Sequence, residues 1–193
     1  EVCGVLCNGN LWGGIKGSNW FTSVLGLRCW LVRHDESKNE NTSLSQKSYS
    51  NEAALLLVSQ NSIARLNSII ASQGWGKQVE SRHFRPNIVV STSVAINQSE
   101  TADYNPEDSW KTIIMSGKNG QVKLLSAGKC ARCQMVDVDP SSGMKGNTLK
   151  ALAQYRRDRG RIYFGTFFSG INDLMENDSG VIWFQVGDNV QPI

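Results

Sequence analysis

Apolar and polar positions fall in short blocks along this chain, and the blocks predict many strands and few helices. Leu55 to Val58 is a solid apolar run, a short buried strand or helix start. A cluster of cap-type residues follows, Ser59-Gln60-Asn61-Ser62, and behind it Ile63, Leu66, Ile69 and Ile70 recur at helical spacing. Ile88 to Val90 reads as a strand, and Ile113 to Met115 and Gln121 to Ser126 read as a hairpin joined by a Gly117 to Gly120 turn. Nearer the start, Ser18 is placed to cap a helix over Asn19 to Leu25, with Trp20, Phe21, Val24 and Leu25 as its apolar face and Gly26 as its stop. Arg28 to Arg33 reads as a buried strand with Cys29 as a core thiol. After the hairpin, Val136 and Val138 alternate with polar neighbours before Asp139-Pro140-Ser141-Ser142-Gly143 closes a turn. Asn147 is the predicted cap of a helix from Thr148 to Asp158, and Ile162 to Phe168 and Val181 to Val190 read as closing strands, the second broken at Gly187-Asp188. Two polar stretches, His34 to Ser50 and Ser93 to Pro106, read as surface loops, the first mobile. Short strands, glycine turns and few helices predict a mainly β (α+β) fold, a barrel with helices at its edge.

Composition narrows this picture only a little. The chain has 193 residues, 40% hydrophobic and 19% charged, ordinary for one large soluble domain or one domain with an appendage. Twenty basic and 17 acidic residues give a net charge of +3, too small to argue for nucleic acid or a membrane surface. No apolar run approaches the roughly 20 residues that span a bilayer, and Glu1 to Asn10 lacks the order of a signal peptide. Five cysteines, an odd set in a chain able to build a core without staples, suggest reduced thiols and an intracellular, cytoplasmic setting. The chain begins without an initiator methionine, so the expectation is a fragment of a longer protein.

The candidate chemistry sits at Cys130-Ala131-Arg132-Cys133. Thiolate is the form that binds metal, and Arg132 between two thiols favours it. Four readings of the pair stand open: a structural zinc site with Cys3 and Cys7, a thioredoxin-like dithiol, a plain pair of core or loop cysteines, and ligation of a soft metal by one thiolate. Arg85-Pro86-Asn87 is the second feature. Proline fixes the backbone and biases Arg85 to extended geometry, so Arg85 and Asn87 project from a stiff base. The third is the Ser59–Ser62 cluster, where a strand entering a capped helix gathers unpaired N–H groups into a seat for an anion. Arg156, Arg157, Arg159 and Arg161 read as a solvated face at a helix end.

Taken together, Phe84-Arg85-Pro86-Asn87-Ile88-Val89-Val90, Glu107-Asp108-Ser109-Trp110, the Cys130–Cys133 motif with Val138-Asp139-Pro140 and Gly143, Phe164-Gly165, and Val186-Gly187-Asp188-Asn189-Val190 resemble the MOSC domain, the family of the C-terminal domain of molybdenum cofactor sulfurases. Val2-Cys3-Gly4, Ser18-Asn19-Trp20, Asn51-Glu52-Ala53, Cys133-Gln134-Met135 and Tyr155-Arg156-Arg157 point to the eukaryotic sulfurase branch, and the mitochondrial amidoxime-reducing component is a relative with similar segments. The resemblance implies a MOSC-type β-barrel over 51–193, preceded over 1–50 by the tail of an N-terminal β segment and the polar loop. It implies a domain that holds the molybdenum cofactor (molybdopterin) while a molybdenum oxo ligand is exchanged for sulfido. The sulfur would come from L-cysteine through a desulfurase domain with pyridoxal phosphate that 193 residues leave no room for, so the fragment alone is expected to be inactive and to hold cofactor weakly. Clients would be xanthine dehydrogenase and aldehyde oxidase. By the same likeness Cys133 is the molybdenum ligand, Ser59, Ser62, Arg85 and Asn87 hold the pterin phosphate, and Cys130 and Arg132 line the pocket. Two other functions stay open: an oxidoreductase of the amidoxime-reducing type, and a zinc-stapled module without catalysis.

Overall fold

The computed structural model describes residues 9–34, 53, 55–91, 105–170 and 182–193. The predicted loop residues 35–50 and 93–104, and Cys3 and Cys7, lie outside the described residues. The chain divides into two compact units, Glu1–Ala54 and Leu55–Ile193.

In the first unit, strand β1 (Gly9–Leu11) pairs antiparallel with β2 (Val32–His34), and helix α1 (Gly14–Leu25) lies between them in sequence. The helix begins earlier than Ser18. Gly13 takes the left-handed conformation that starts it, and the Ser18 hydroxyl donates to the Gly14 carbonyl from inside the first turns. Gly26 ends it as expected, its N–H on the Thr22 carbonyl. The buried strand expected over Arg28–Arg33 is replaced by an extended approach to β2 in which Trp30 is exposed and Cys29 half-buried beside the Thr22 hydroxyl.

The second unit is a nearly closed barrel. Its strands run in the order β4 (Ile88–Val90), β3 (Leu55–Ser59), β8 (Arg161–Gly170), β6 (Gly120–Ala131), β5 (Thr112–Gly117) and β9 (Asn189–Pro192), with β7 (Arg157–Asp158) paired to β8. All these pairs are antiparallel except β3 with β4. Inside lie Leu57, Val90, Ile113, Met115, Leu124 and Phe168, and side chains of both end strands, Ile88 and Val190, pack on that same cluster. Outside, helices α2 (Gln60–Ser72) and α3 (Thr148–Ala153) cover a second cluster built from Val58, Ile63, Leu66, Ile70, Phe84, Val136, Leu152 and Phe164. Strand β3 thus buries both faces, Leu57 toward the barrel interior and Val58 toward the helices, so its sequence is a continuous apolar run.

Three local expectations change. Strand β6 runs on through Cys130, so the first cysteine belongs to a strand. Val136 and Val138 lie in and just after a 3-10 turn, Gln134–Asp137, not a strand. Helix α3 stops at Ala153, and its first-turn N–H of Leu149 is taken by the Asp137 carboxylate at 2.6 Å while Asn147 makes no side-chain cap. The turn predicted over Asp139–Gly143, ahead of this helix, holds: the Asp139 carboxylate accepts the N–H groups of Ser141 and Ser142, which keep it below the usual carboxylate range.

Candidate functional site

Cys133 caps the 3-10 turn Gln134–Asp137, which packs on another 3-10 turn, Ser81–Phe84. Arg85 is the residue that ends that second turn. The Cys-x-x-Cys segment and the Arg-Pro-Asn segment, 48 positions apart in the chain, are therefore neighbours, and Arg132 joins them directly by donating from Nη1 to the Phe84 carbonyl at 3.0 Å. Cys133 is exposed and carries a free thiol. Arg85 is exposed too. The expected extended backbone is not found there: Arg85 adopts φ 53°, ψ 46°, because the 3-10 turn ends in a left-handed residue whose N–H reaches back to the Arg82 carbonyl. Asn87 is exposed, but its side-chain oxygen is tied back to β3. Its Oδ1 accepts the Leu56 N–H at 2.8 Å and its own N–H donates to the Leu56 carbonyl at 2.8 Å, which sets the start of β4 alongside β3.

The other predicted residues are placed differently. Cys130 is 7% exposed, facing the packed interior with its thiol near the Ala131 carbonyl. Arg132 directs Nε to the Phe164 carbonyl at 2.8 Å, and its guanidinium lies over the Phe84 ring. Ser59 and Ser62 are fully buried at the N-terminus of α2, where Ser59 Oγ accepts the Ser62 N–H at 3.1 Å. An anion does sit at this helix end, and it belongs to the chain. The Glu107 carboxylate takes the Ser59 N–H at 3.3 Å and both serine hydroxyls at 2.8 Å each, itself fully buried. The strand–helix corner expected to seat an outside anion is thus occupied by the chain's own Glu107, through one backbone N–H and two hydroxyls.

These contacts define what the site can do. A free, exposed thiol and an exposed guanidinium flank adjoining turns, suited to a ligand with a soft metal and an anionic arm. Among the described residues no group of three or more His, Cys, Asp or Glu is arranged to hold a metal ion. No described helix is long and apolar enough to cross a membrane.

A family model described as the MOSC domain matches residues 44–191. The chain belongs to the MOSC domain family. Its relatives include the molybdenum cofactor sulfurase of Oryza sativa subsp. japonica, 34% identical over 91% of this chain and 22% of that protein, and that of Arabidopsis thaliana, 31% identical over 91% and 22%. The human mitochondrial amidoxime-reducing component 1 is 31% identical over 75% of this chain and 38% of its own length. The chain spans about a fifth of the length of the sulfurases it matches.

Two anchors of this MOSC domain lie in the Glu107-Asp108-Ser109-Trp110 segment, to which the sequence assigned no role. Glu107 is one. The other is the adjacent Asp108, which holds Arg156 in a two-pronged pair at 2.6 and 2.8 Å, with Lys129 at 3.2 Å. Burial alone would lower the Arg156 pKa, and the Asp108 hydrogen bonds outweigh it and raise it. Arg156 is therefore a half-buried fastener between Asp108 and the Tyr163 carbonyl, separate from the exposed Arg157, Arg159 and Arg161. The signal was available: an acidic pair, Glu107-Asp108, preceding an aromatic and a strand, with basic residues elsewhere to receive it.

Proposed function

We propose that this MOSC domain holds the molybdenum cofactor for a sulfurtransferase, with Cys133 as the thiolate that meets molybdenum and Arg85 as the guanidinium that grips the pterin phosphate. The observation that carries the reading is the packing of two turns far apart in sequence, one flanked by an exposed free thiol and the other by an exposed arginine. Thiolate is a soft donor and matches a molybdenum–sulfur centre, whereas a planar guanidinium fork matches a phosphate. The printed names of the rice and Arabidopsis relatives, molybdenum cofactor sulfurase, support the cofactor itself as the substrate; in this proposal one of its oxo ligands is exchanged for sulfido sulfur. Ser59 and Ser62 act behind the site, fixing the β3–α2 corner through Glu107, and Cys130 supports β6 from the interior. Asn87 lends its Nδ2 amide to the pterin side of Arg85 while its Oδ1 stays on the strand. Pyridoxal phosphate chemistry, the desulfurase domain that uses it, and the clients xanthine dehydrogenase and aldehyde oxidase all belong to the longer protein in this proposal. So does the cytoplasmic setting.

Expression of the full gene product, oxidation of bound molybdopterin to its fluorescent form and quantitation per chain test this. Cys133→Ser and Arg85→Ala should each lower retained cofactor, and unchanged content in both variants would remove the site. A second reading rests on the 31% identity to the amidoxime-reducing component: a molybdenum oxidoreductase domain. Reduction of an N-hydroxylated substrate by the loaded protein, with an electron donor supplied, would favour it.

A further inference from the structure

The corner that carries Arg85 is strained and held from several sides. A non-glycine residue avoids φ 53°, ψ 46°, and the proline that follows adds its own restriction. Behind it, the Arg85 N–H is tied to the Arg82 carbonyl at 3.2 Å, and ahead, Asn87 is pinned twice to Leu56. The remaining handle is the Phe84 carbonyl, which Arg132 Nη1 takes at 3.0 Å. The same guanidinium reaches the Phe164 carbonyl on β8 through Nε, and the Arg132 main-chain N–H donates to the Ile162 carbonyl at 2.8 Å. Strand β8 leaves room for this. Gly165 has φ 78°, and a Cβ there would come within 3.3 Å of Arg132 Nη2, 2.8 Å of Val58 Cγ2 and 2.9 Å of the Leu57 carbonyl. Arg132 is also the residue immediately before Cys133.

We infer that Arg132 is a positioning residue that couples the Cys133 turn to the Arg85 corner, so that thiol and guanidinium meet an anionic, metal-bearing ligand as one unit. This rests on the reading proposed above. A lysine keeps the charge and loses the fork that spans two carbonyls, which makes Arg132→Lys the informative change. Phe84→Leu is its matched control, because it removes the aromatic face beneath the guanidinium and some stability but leaves the Phe84 carbonyl in place.

The experiment measures affinity for isolated molybdenum cofactor in the full gene product. Arg132→Lys should weaken binding about tenfold, and Phe84→Leu by less than about twofold. On an Arg85→Ala background the lysine change should cost about threefold or less, since one of the two groups it positions is gone. Wild-type affinity in folded Arg132→Lys, a full tenfold loss on the Arg85→Ala background, or an equal loss in Phe84→Leu would each overturn the inference. Amide hydrogen exchange of the cofactor-free protein supplies a readout independent of the ligand. In Arg132→Lys, segments 81–87 and 132–138 should exchange faster together, and unchanged exchange in 81–87 would also overturn it. If Arg85→Ala and Cys133→Ser both bind cofactor as wild type does, the proposed function falls, while the exchange measurement still decides whether Arg132 couples the two turns.

Discussion

Replacing Glu107 by alanine should cost more than any single change on the exposed side of the site. The carboxylate receives three donors, the Ser59 N–H and the hydroxyls of Ser59 and Ser62, and all three residues are fully buried. A hydrogen bond to a charged group contributes about 1.5–3 kcal/mol, and the two hydroxyls, 2.9 Å apart, can re-pair with each other and recover part of the loss. Relief from burying a charge offsets a further share, leaving about 3–4 kcal/mol of destabilisation, a large part of a stability of roughly 5–15 kcal/mol. Glu107→Gln keeps Oε1 for the Ser59 N–H but turns Oε2, the acceptor of both hydroxyls, into an amide donor; with one hydroxyl re-pairing to the other, about 1–2 kcal/mol is expected. Urea unfolding at matched ionic strength measures both values. The alanine variant should also reopen the helix end to outside anions. If sulfate then binds with a dissociation constant of ~10 mM, 50 mM sulfate restores about 1 kcal/mol to the variant and none to wild type. A cost below about 1 kcal/mol for Glu107→Ala, or a sulfate response equal in variant and wild type, would refute the assignment of Glu107 as the internal anion of α2.

Gly165→Ala should destabilise the barrel by about 2–4 kcal/mol, because the new methyl meets the Leu57 carbonyl at 2.9 Å and Val58 at 2.8 Å at a positive φ. A denaturation midpoint within error of wild type would contradict this. Tyr155 supplies a pH prediction. Burial pushes its hydroxyl from 10 up to about 12, and the hydroxyl is enclosed without a partner among the described residues. The fold favours the neutral phenol, so its contribution is complete below pH 10 and is lost as pH rises toward 12, a loss of about 2–3 kcal/mol. Tyr155→Phe should match or slightly exceed wild-type stability at pH 7 and show a shallower decline above pH 10. Parallel curves for the two proteins would exclude Tyr155 as the source.

Where the fold was legible, one local rule decided the outcome. The apolar block Leu55–Val58 and its Ser59 cap became β3 and α2 within a residue, and the glycine turn at 117–120 became the β5–β6 hairpin. The barrel followed from many short strands and few helices. Where reading failed, tertiary contacts overrode local preference. Pro86 biases Arg85 toward extended backbone, yet the Ser81–Phe84 turn and the Arg132 bond hold it left-handed. Asn147 has the chemistry of a cap, but Asp137 stands closer to the first turn of α3. The arginine run at 156–161 looked uniform because sequence gives no depth, and only the pairing with Asp108 separates Arg156 from its neighbours. The strand–helix corner illustrates the same limit: cap residues suggest a seat for an outside anion, but a carboxylate 48 positions onward already takes the Ser59 N–H and both serine hydroxyls.

The account turns on one bond, from the Cys133 sulfur to molybdenum. X-ray absorption at the molybdenum edge, on the cofactor-loaded full gene product and its Cys133→Ser variant, reads the sulfur neighbours of the metal directly. The variant, where it retains molybdenum, should have one sulfur neighbour fewer than wild type. Indistinguishable spectra at equal molybdenum loading would contradict it.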